Sequence, residues 1–255
     1  MIPRPLLVLL ALLVGGPVQA DPATAFAEAN RLFESGDHAA AATAYEALVR
    51  DGHLSAGLLY NLGTAKHRLG ENGEGALWMR RALVLEPGMP EATQSLAYLR
   101  SRFAWFEFAD TRLDRFLTGL PPTFGPWAVS LSLWAAALAI AASFSLPRLR
   151  PNRPALLTLG LVLLMVSFVA SRAARYRAER LAIENFATVV QDGTNALTAP
   201  VPEAKAVIAL PPGSELRLLQ STGPWSYVEI PGNLRGWVRR ETVSPVWPLP
   251  VTRDP

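Results

Sequence analysis

Few residues in this chain have the type and spacing to make or break covalent bonds. Its 255 residues include no Cys and three His, at positions 38, 53 and 67. Without Cys there is no disulfide framework, thiol nucleophile, Cys-ligated zinc or lipidated N-terminal Cys. The histidines stand far apart in sequence, in helical positions, a pattern that gathers no metal cluster. Gly70-Glu71-Asn72-Gly73-Glu74-Gly75 has the glycines of a phosphate loop, but no Gly-Lys-Ser/Thr follows. Neither HExxH nor GxSxG occurs. No catalytic, cofactor-binding or metal-binding residue is expected, and the chain reads as a non-enzyme. What remains are directed donors such as Asn61 and Arg68, whose amide and guanidinium suit a carboxylate or a peptide backbone.

Charge and hydropathy place these donors in a larger plan. The net charge is +3 and half of the residues are apolar. Residues 21–116 balance to −3, residues 181–255 to −1, and residues 147–180 hold seven Arg against one Glu. The excess sits beside apolar segments rather than on a folded face, so nucleic acid is not indicated.

Residues 1–20 read as a secretory signal: Arg4, an apolar run from Leu6 to Val14, and Val18-Gln19-Ala20 before Asp21. Two further stretches, 127–146 and 154–171, carry no charge at all. At about 1.5 Å per residue each reaches far enough to cross a bilayer. The turn between them, 147–153, holds Arg148, Arg150 and Arg153, which favour the cytoplasm. Arg172, Arg175, Arg177 and Arg180 follow the second span, and by charge alone both ends would also face inward. A cleaved signal commits the N-terminal domain to export, and two spans return the C-terminus to that side. The expected placement is therefore a bacterial inner membrane with both soluble domains extracytoplasmic, the arginines after the second span lying against anionic head groups.

Residues 21–106 repeat. Gly36-Asp37 precedes Ala40-Ala41-Ala42, with Tyr45 and Leu48 on one helical face; one period on, Gly70-Glu71 precedes Gly75-Ala76, Met79 and Ala82. A helix–turn–helix with a period of about 34 residues, and small residues at the crossing, is the tetratricopeptide pattern. The copy at 60–87 is strong; the first has Ala29 in place of the usual Gly and lacks a closing Pro. Pro90 to Phe106, with Leu96, Leu99 and Phe103 at helical spacing, reads as a capping helix. The repeat pattern places Phe26, Asn30, Tyr60, Asn61, Thr64, His67 and Arg68 along the concave face, joined by Gln94 and Tyr98 from the cap. These form a partner groove or the solvated face of a small helical domain; His67 alone reads as a surface histidine.

The rest divides into a linker (107–126), a basic stalk (172–186), a β domain (187–245) and a tail (246–255). In the β domain, short runs at Ala187–Val190, Ala206–Leu210, Glu215–Leu219, Trp225–Ile230 and Gly236–Val238 alternate with Pro and Gly, as in a small barrel. The series Pro212-Gly213-Ser214-Glu215-Leu216, Gly223-Pro224-Trp225-Ser226-Tyr227-Val228-Glu229-Ile230 and Gly236-Trp237-Val238 resembles a bacterial SH3 domain. That resemblance places Trp225 and Trp237 near the core. The expected fold class is multidomain α + β: an all-α tetratricopeptide region, a two-helix transmembrane hairpin and a small all-β SH3-like barrel.

Signal, repeat pair, hairpin and SH3-like barrel, in that order, resemble the BatE proteins of the bacterial aerotolerance (Bat) operon. The resemblance implies membrane complexes with von Willebrand A domain proteins, and indirectly a MoxR-type AAA+ ATPase, under oxidative or envelope stress. The chain is then a non-enzymatic membrane adaptor without a cofactor. The competing expectation is a cell-wall sensor whose barrel binds peptidoglycan while the repeats recruit a wall enzyme.

Overall fold

A computed structural model of the chain describes residues 21–109, 112–121, 123–180 and 182–249. The expected signal, 1–20, and the end of the tail lie outside them. The chain forms two compact units, one built from the segments up to Glu107 and from Phe186 onward, the other from Phe108–Asn185.

In the first unit, five helices follow the repeat period: α1 (Pro22–Glu34), α2 (His38–Arg50), α3 (Ala56–Arg68), α4 (Asn72–Leu85) and α5 (Pro90–Phe103). Their boundaries have local causes. Asp37 Oδ1 accepts from the Ala40 N–H at 3.0 Å and Ser55 Oγ from the Leu58 N–H at 3.2 Å, so both act as N-caps. Gly36 and Gly70, at φ of +87° and +86°, end α1 and α3 in a left-handed conformation that L side chains resist. The following N–H groups, of Asp37 and Glu71, return to Leu32 and Lys66 carbonyls, so the same turn is built twice.

The period also governs packing. Where α3 crosses α4, a Cβ on Gly63 would lie 2.8 Å from the Gly75 carbonyl oxygen, so the backbones meet directly. One repeat earlier, Ala29 and Ala41 hold the equivalent crossing of α1 and α2 and are fully buried. The weaker first repeat thus keeps its geometry with alanine in place of glycine. Tyr45, Leu59 and Leu62, all without solvent exposure, fill the space between the hairpins; burying each large apolar side chain contributes roughly 1.5–3 kcal/mol.

The same unit carries an antiparallel sheet of seven strands: β1 (Phe186–Val189), β2 (Asn195–Leu197), β3 (Ala206–Ala209), β4 (Glu215–Thr222), β5 (Trp225–Ile230), β6 (Leu234–Arg239) and β7 (Val243–Pro245), ordered β3-β2-β6-β5-β4-β1-β7. A 3-10 turn, Arg240–Thr242, leads into β7. Val228, Ile230 and Val238 project into one apolar cluster with Ala187, Leu216 and Leu210. Trp225 is buried but lies outside that cluster. Trp237 is only half-buried and packs against Tyr227, ring centroids 5.0 Å apart. The expected core role therefore does not describe Trp237. Strands β2 and β7, absent from the expected runs, are too short for alternation to reveal.

The second unit contains α6 (Arg112–Gly119), α7 (Phe124–Ser145), a 3-10 turn (Pro147–Asn152) and α8 (Arg153–Arg180). Both α7 and the segment Pro147–Tyr176 are long and apolar enough to cross a membrane. α8 runs on through the expected basic stalk without a break until Arg180. The two long helices run antiparallel: Gly125 faces Ala174, and Gly160 faces Ile140. Ser132, Ala136, Ala139 and Ser143 of α7 are buried. Ala136 and Ala139, whose smallness would suit a partner helix, are consumed within the hairpin instead.

Candidate functional site: the repeat face and the seam behind it

The first helix of each repeat is fixed by its hairpin partner, and this decides what its polar residues can offer. Asn30 stands at the centre. Its Oδ1 accepts from the Tyr45 hydroxyl at 2.6 Å and from Asn61 Nδ2 at 3.0 Å. One amide oxygen thus ties α1 to α2 and to α3. Phe26 packs against Tyr45 with ring centroids 6.0 Å apart. The Tyr60 hydroxyl meets Ser95 Oγ at 3.2 Å, joining α3 to the cap. Thr64 Oγ1 donates to the Tyr60 carbonyl at 2.9 Å, within its own helix.

The expected groove residues therefore separate into two kinds. Phe26, Asn30, Tyr60, Asn61 and Thr64 are half-buried, and each is held by a contact within the repeats. Arg68, Gln94 and Tyr98 are exposed, Tyr98 by 58%. His67 differs from the expectation of a surface histidine. It is half-buried, and its Nδ1 hydrogen-bonds Asn72 Oδ1 at 2.7 Å, with its Cβ at the Gly75 crossing. It belongs to the α3–α4 hairpin rather than to the open face.

The sheet docks on α4, the second helix of its repeat, through two consecutive arginines. Arg80 Nε pairs with Glu215 Oε1 at 3.0 Å, and its Nη1 donates to Thr188 Oγ1 and to the Gly213 carbonyl at 3.0 and 2.8 Å. Its guanidinium lies 5.3 Å from the Trp105 ring centroid. Arg81 donates from Nε to the Val246 carbonyl at 3.2 Å and from Nη2 to the Pro245 carbonyl at 3.0 Å, with its guanidinium 4.3 Å from the Trp78 ring. Burial lowers the pKa of both; for Arg81, where the Glu74 carboxylate opposes it, the result is about 10, so the cation persists at neutral pH. Burial also raises the Glu74 carboxyl, against the pull of Arg81 and Lys66.

Backbone completes the seam. The Phe106 N–H donates to Ser214 Oγ at 3.1 Å, the Glu215 N–H donates to the Phe106 carbonyl at 2.8 Å, and the Phe106 side chain packs on the sheet's apolar cluster. A Cβ on Gly73 would fall 2.6 Å from the Val190 carbonyl oxygen, and one on Gly213 would penetrate the Trp105 ring. Sequence reasoning missed Arg80, Arg81 and Trp105. Charged neighbours on a helix read as solvated, and the strand residues that hold them come far later in the chain. The one available signal was Trp105-Phe106, an aromatic pair at the end of the expected cap helix, which stops at Phe103 and leaves both residues to meet the sheet.

The family model of the tetratricopeptide repeat matches residues 26–90, from α1 to the first residue of α5. No curated protein and no solved structure matches the chain. Residues 26–90 are thus tetratricopeptide repeats, a helical scaffold for protein–protein interaction. Among the described residues no group of three or more His, Cys, Asp or Glu could hold a metal.

Proposed function

We propose that the protein is a non-enzymatic, membrane-anchored adaptor whose repeat face binds a partner protein. The observation that carries this reading is the position of the seam. The sheet occupies α4, so the faces of α3 and α5 that bear Arg68, Gln94 and Tyr98 stay available while the scaffold is stiffened from behind.

The hairpin is read as two transmembrane spans. Support comes from chain order: the segment 108–185 leaves and re-enters one compact unit. A unit sewn together by a buried ion pair and by backbone hydrogen bonds cannot be divided by a bilayer, so the number of crossings must be even. The N-terminal signal read from the sequence then puts that unit outside the cytoplasm, and Arg148, Arg150 and Arg153 inside.

The sheet is read as an SH3-like module; its hairpin order and the 3-10 turn before β7 support this. By resemblance to the BatE proteins, the partner is a von Willebrand A domain membrane protein, with a MoxR-type ATPase acting indirectly. Cross-linking in cells, mild-detergent purification of the full chain and mass spectrometry test this. The expected result is recovery of the von Willebrand A protein, lost when Tyr98→Ala is combined with Arg68→Glu. Unchanged recovery from that variant removes the face from the account. These exposed positions are better probes than Tyr60, whose loss would also loosen α3 against the cap.

One observation favours the competing wall-binding role: Tyr227 and Trp237 offer a half-buried aromatic pair that could stack on a sugar or peptide. Sedimentation of the full chain with purified sacculi, abolished by Trp237→Ala, would establish that role instead.

A further inference from the structure

The geometry points to a binding groove for one anionic phospholipid between α7 and α8, with the phosphate at Arg175 and an acyl chain along Val129 and Leu133. The inference rests on the membrane reading above and deepens it. A groove of about 590 Å³ is lined by Pro126, Val129, Ser130 and Leu133 from α7 and by Ser171, Ala174 and Arg175 from α8.

Its polarity is graded along the helices. Because Gly125 faces Ala174 while Gly160 faces Ile140 further down, Arg175 and Pro126 mark the outer end and Leu133, two turns on, the inner end. The Arg175 cation therefore sits at the outer end where a head group would, the Ser130 and Ser171 hydroxyls lie about one turn further in beside Val129, and Leu133 lies at the inner end where an acyl chain would run. A zwitterionic lipid brings no net charge to such a site, whereas an anionic lipid does. The basic surroundings continue the complementarity, since Arg172 is exposed one turn away and residues 147–180 hold a single acid. A partner helix is a poorer fit, because it would leave the Arg175 guanidinium facing apolar side chains. Elsewhere on the hairpin surface, Trp134, Leu138 and Phe168, exposed by 69%, 68% and 67%, suit bulk acyl chains.

The test uses the full-length protein in phosphatidylcholine nanodiscs doped with a photoactivatable phospholipid carrying a diazirine on its acyl chain. Peptide mapping then locates the cross-links. With a phosphatidylglycerol probe, labelling should concentrate on Val129 and Leu133 and exceed that of a phosphatidylcholine probe by roughly fivefold, the effect of about one cation near an anionic lipid. Arg175→Gln should erase the difference, while Arg150→Gln in the opposite turn should not. The two-probe comparison on unaltered protein holds even if Arg175→Gln misfolds. Equal labelling by both probes, or labelling spread over Trp134, Leu138 and Phe168, overturns the site while leaving the hairpin in the membrane. Release of the protein from native membranes by alkaline carbonate overturns the membrane reading and the lipid site with it. Exclusion of both probes together with a cross-linked dimer would overturn the lipid site and assign the groove to a second copy of the chain.

Discussion

Arg80 and Glu74 sit between one and two turns apart on α4, and burial acts on them in opposite senses. Arg80 is 7% exposed, paired with Glu215 and donating from Nη1 to Thr188 and Gly213, so removing it leaves Glu215 beside a seam that was built around a cation. Arg80→Ala should cost about 3–5 kcal/mol, the range for breaking a buried pair from one side. Denaturant unfolding of the purified protein checks this, and a loss under about 1 kcal/mol, the scale of a surface pair, would mean the seam holds without it. Glu74 is the reverse case, because burial raises its carboxyl pKa. An acid whose folded pKa exceeds its unfolded one binds more protons when folded. Stability then falls as pH rises through the ordinary carboxylate range and on through the raised value. Glu74→Gln should therefore raise the melting temperature at neutral pH and flatten that part of the pH profile. A melting temperature that drops would show that attraction to Arg81 outweighs burial.

At the scale of elements, the glycines of α3 and α4 make opposite predictions for one substitution. Gly57, exposed near the start of α3, has nothing within 4 Å of where a Cβ would stand, so Gly57→Ala should stabilise by about 0.5 kcal/mol through backbone entropy. Gly73, also helical, would drive its Cβ to 2.6 and 2.7 Å from two carbonyl oxygens of the β1 end, and those atoms cannot swing aside. Gly73→Ala should destabilise despite alanine's higher helix propensity. Calorimetry on the two variants decides, and a stabilised Gly73→Ala would show that α4 and β1 can part without cost. Periodicity made these helices legible: the recurrence of Gly36 at Gly70 and of Ala41 at Gly75 located the turns and crossings before any coordinates. It could not reveal the docking. Whether a small residue faces solvent, a sister helix or a distant strand depends on contacts that close only after the hairpin has been traversed, and local spacing carries none of that information. The groove residues were legible as a set of first-helix positions. Their division into held side chains, such as Asn30 and Asn61, and exposed ones, such as Tyr98, depends on the partners that each meets in three dimensions.

For the whole molecule, the central claim is that repeats and sheet are one body, interrupted in sequence by a hairpin that crosses the membrane twice. The natural chain has no Cys, so single cysteines report cleanly on sidedness. Arg102 on α5 and Arg235 on β6 are exposed members of the body, and Arg150 is exposed in the turn between the long helices. The most direct measurement places Arg102→Cys, Arg235→Cys and Arg150→Cys singly in the full chain, in sealed right-side-out vesicles treated with a membrane-impermeant maleimide. The account predicts that positions 102 and 235 label to the same extent and that position 150 labels only after detergent is added. Labelling of 102 and 235 from opposite sides, or of all three together, would contradict it.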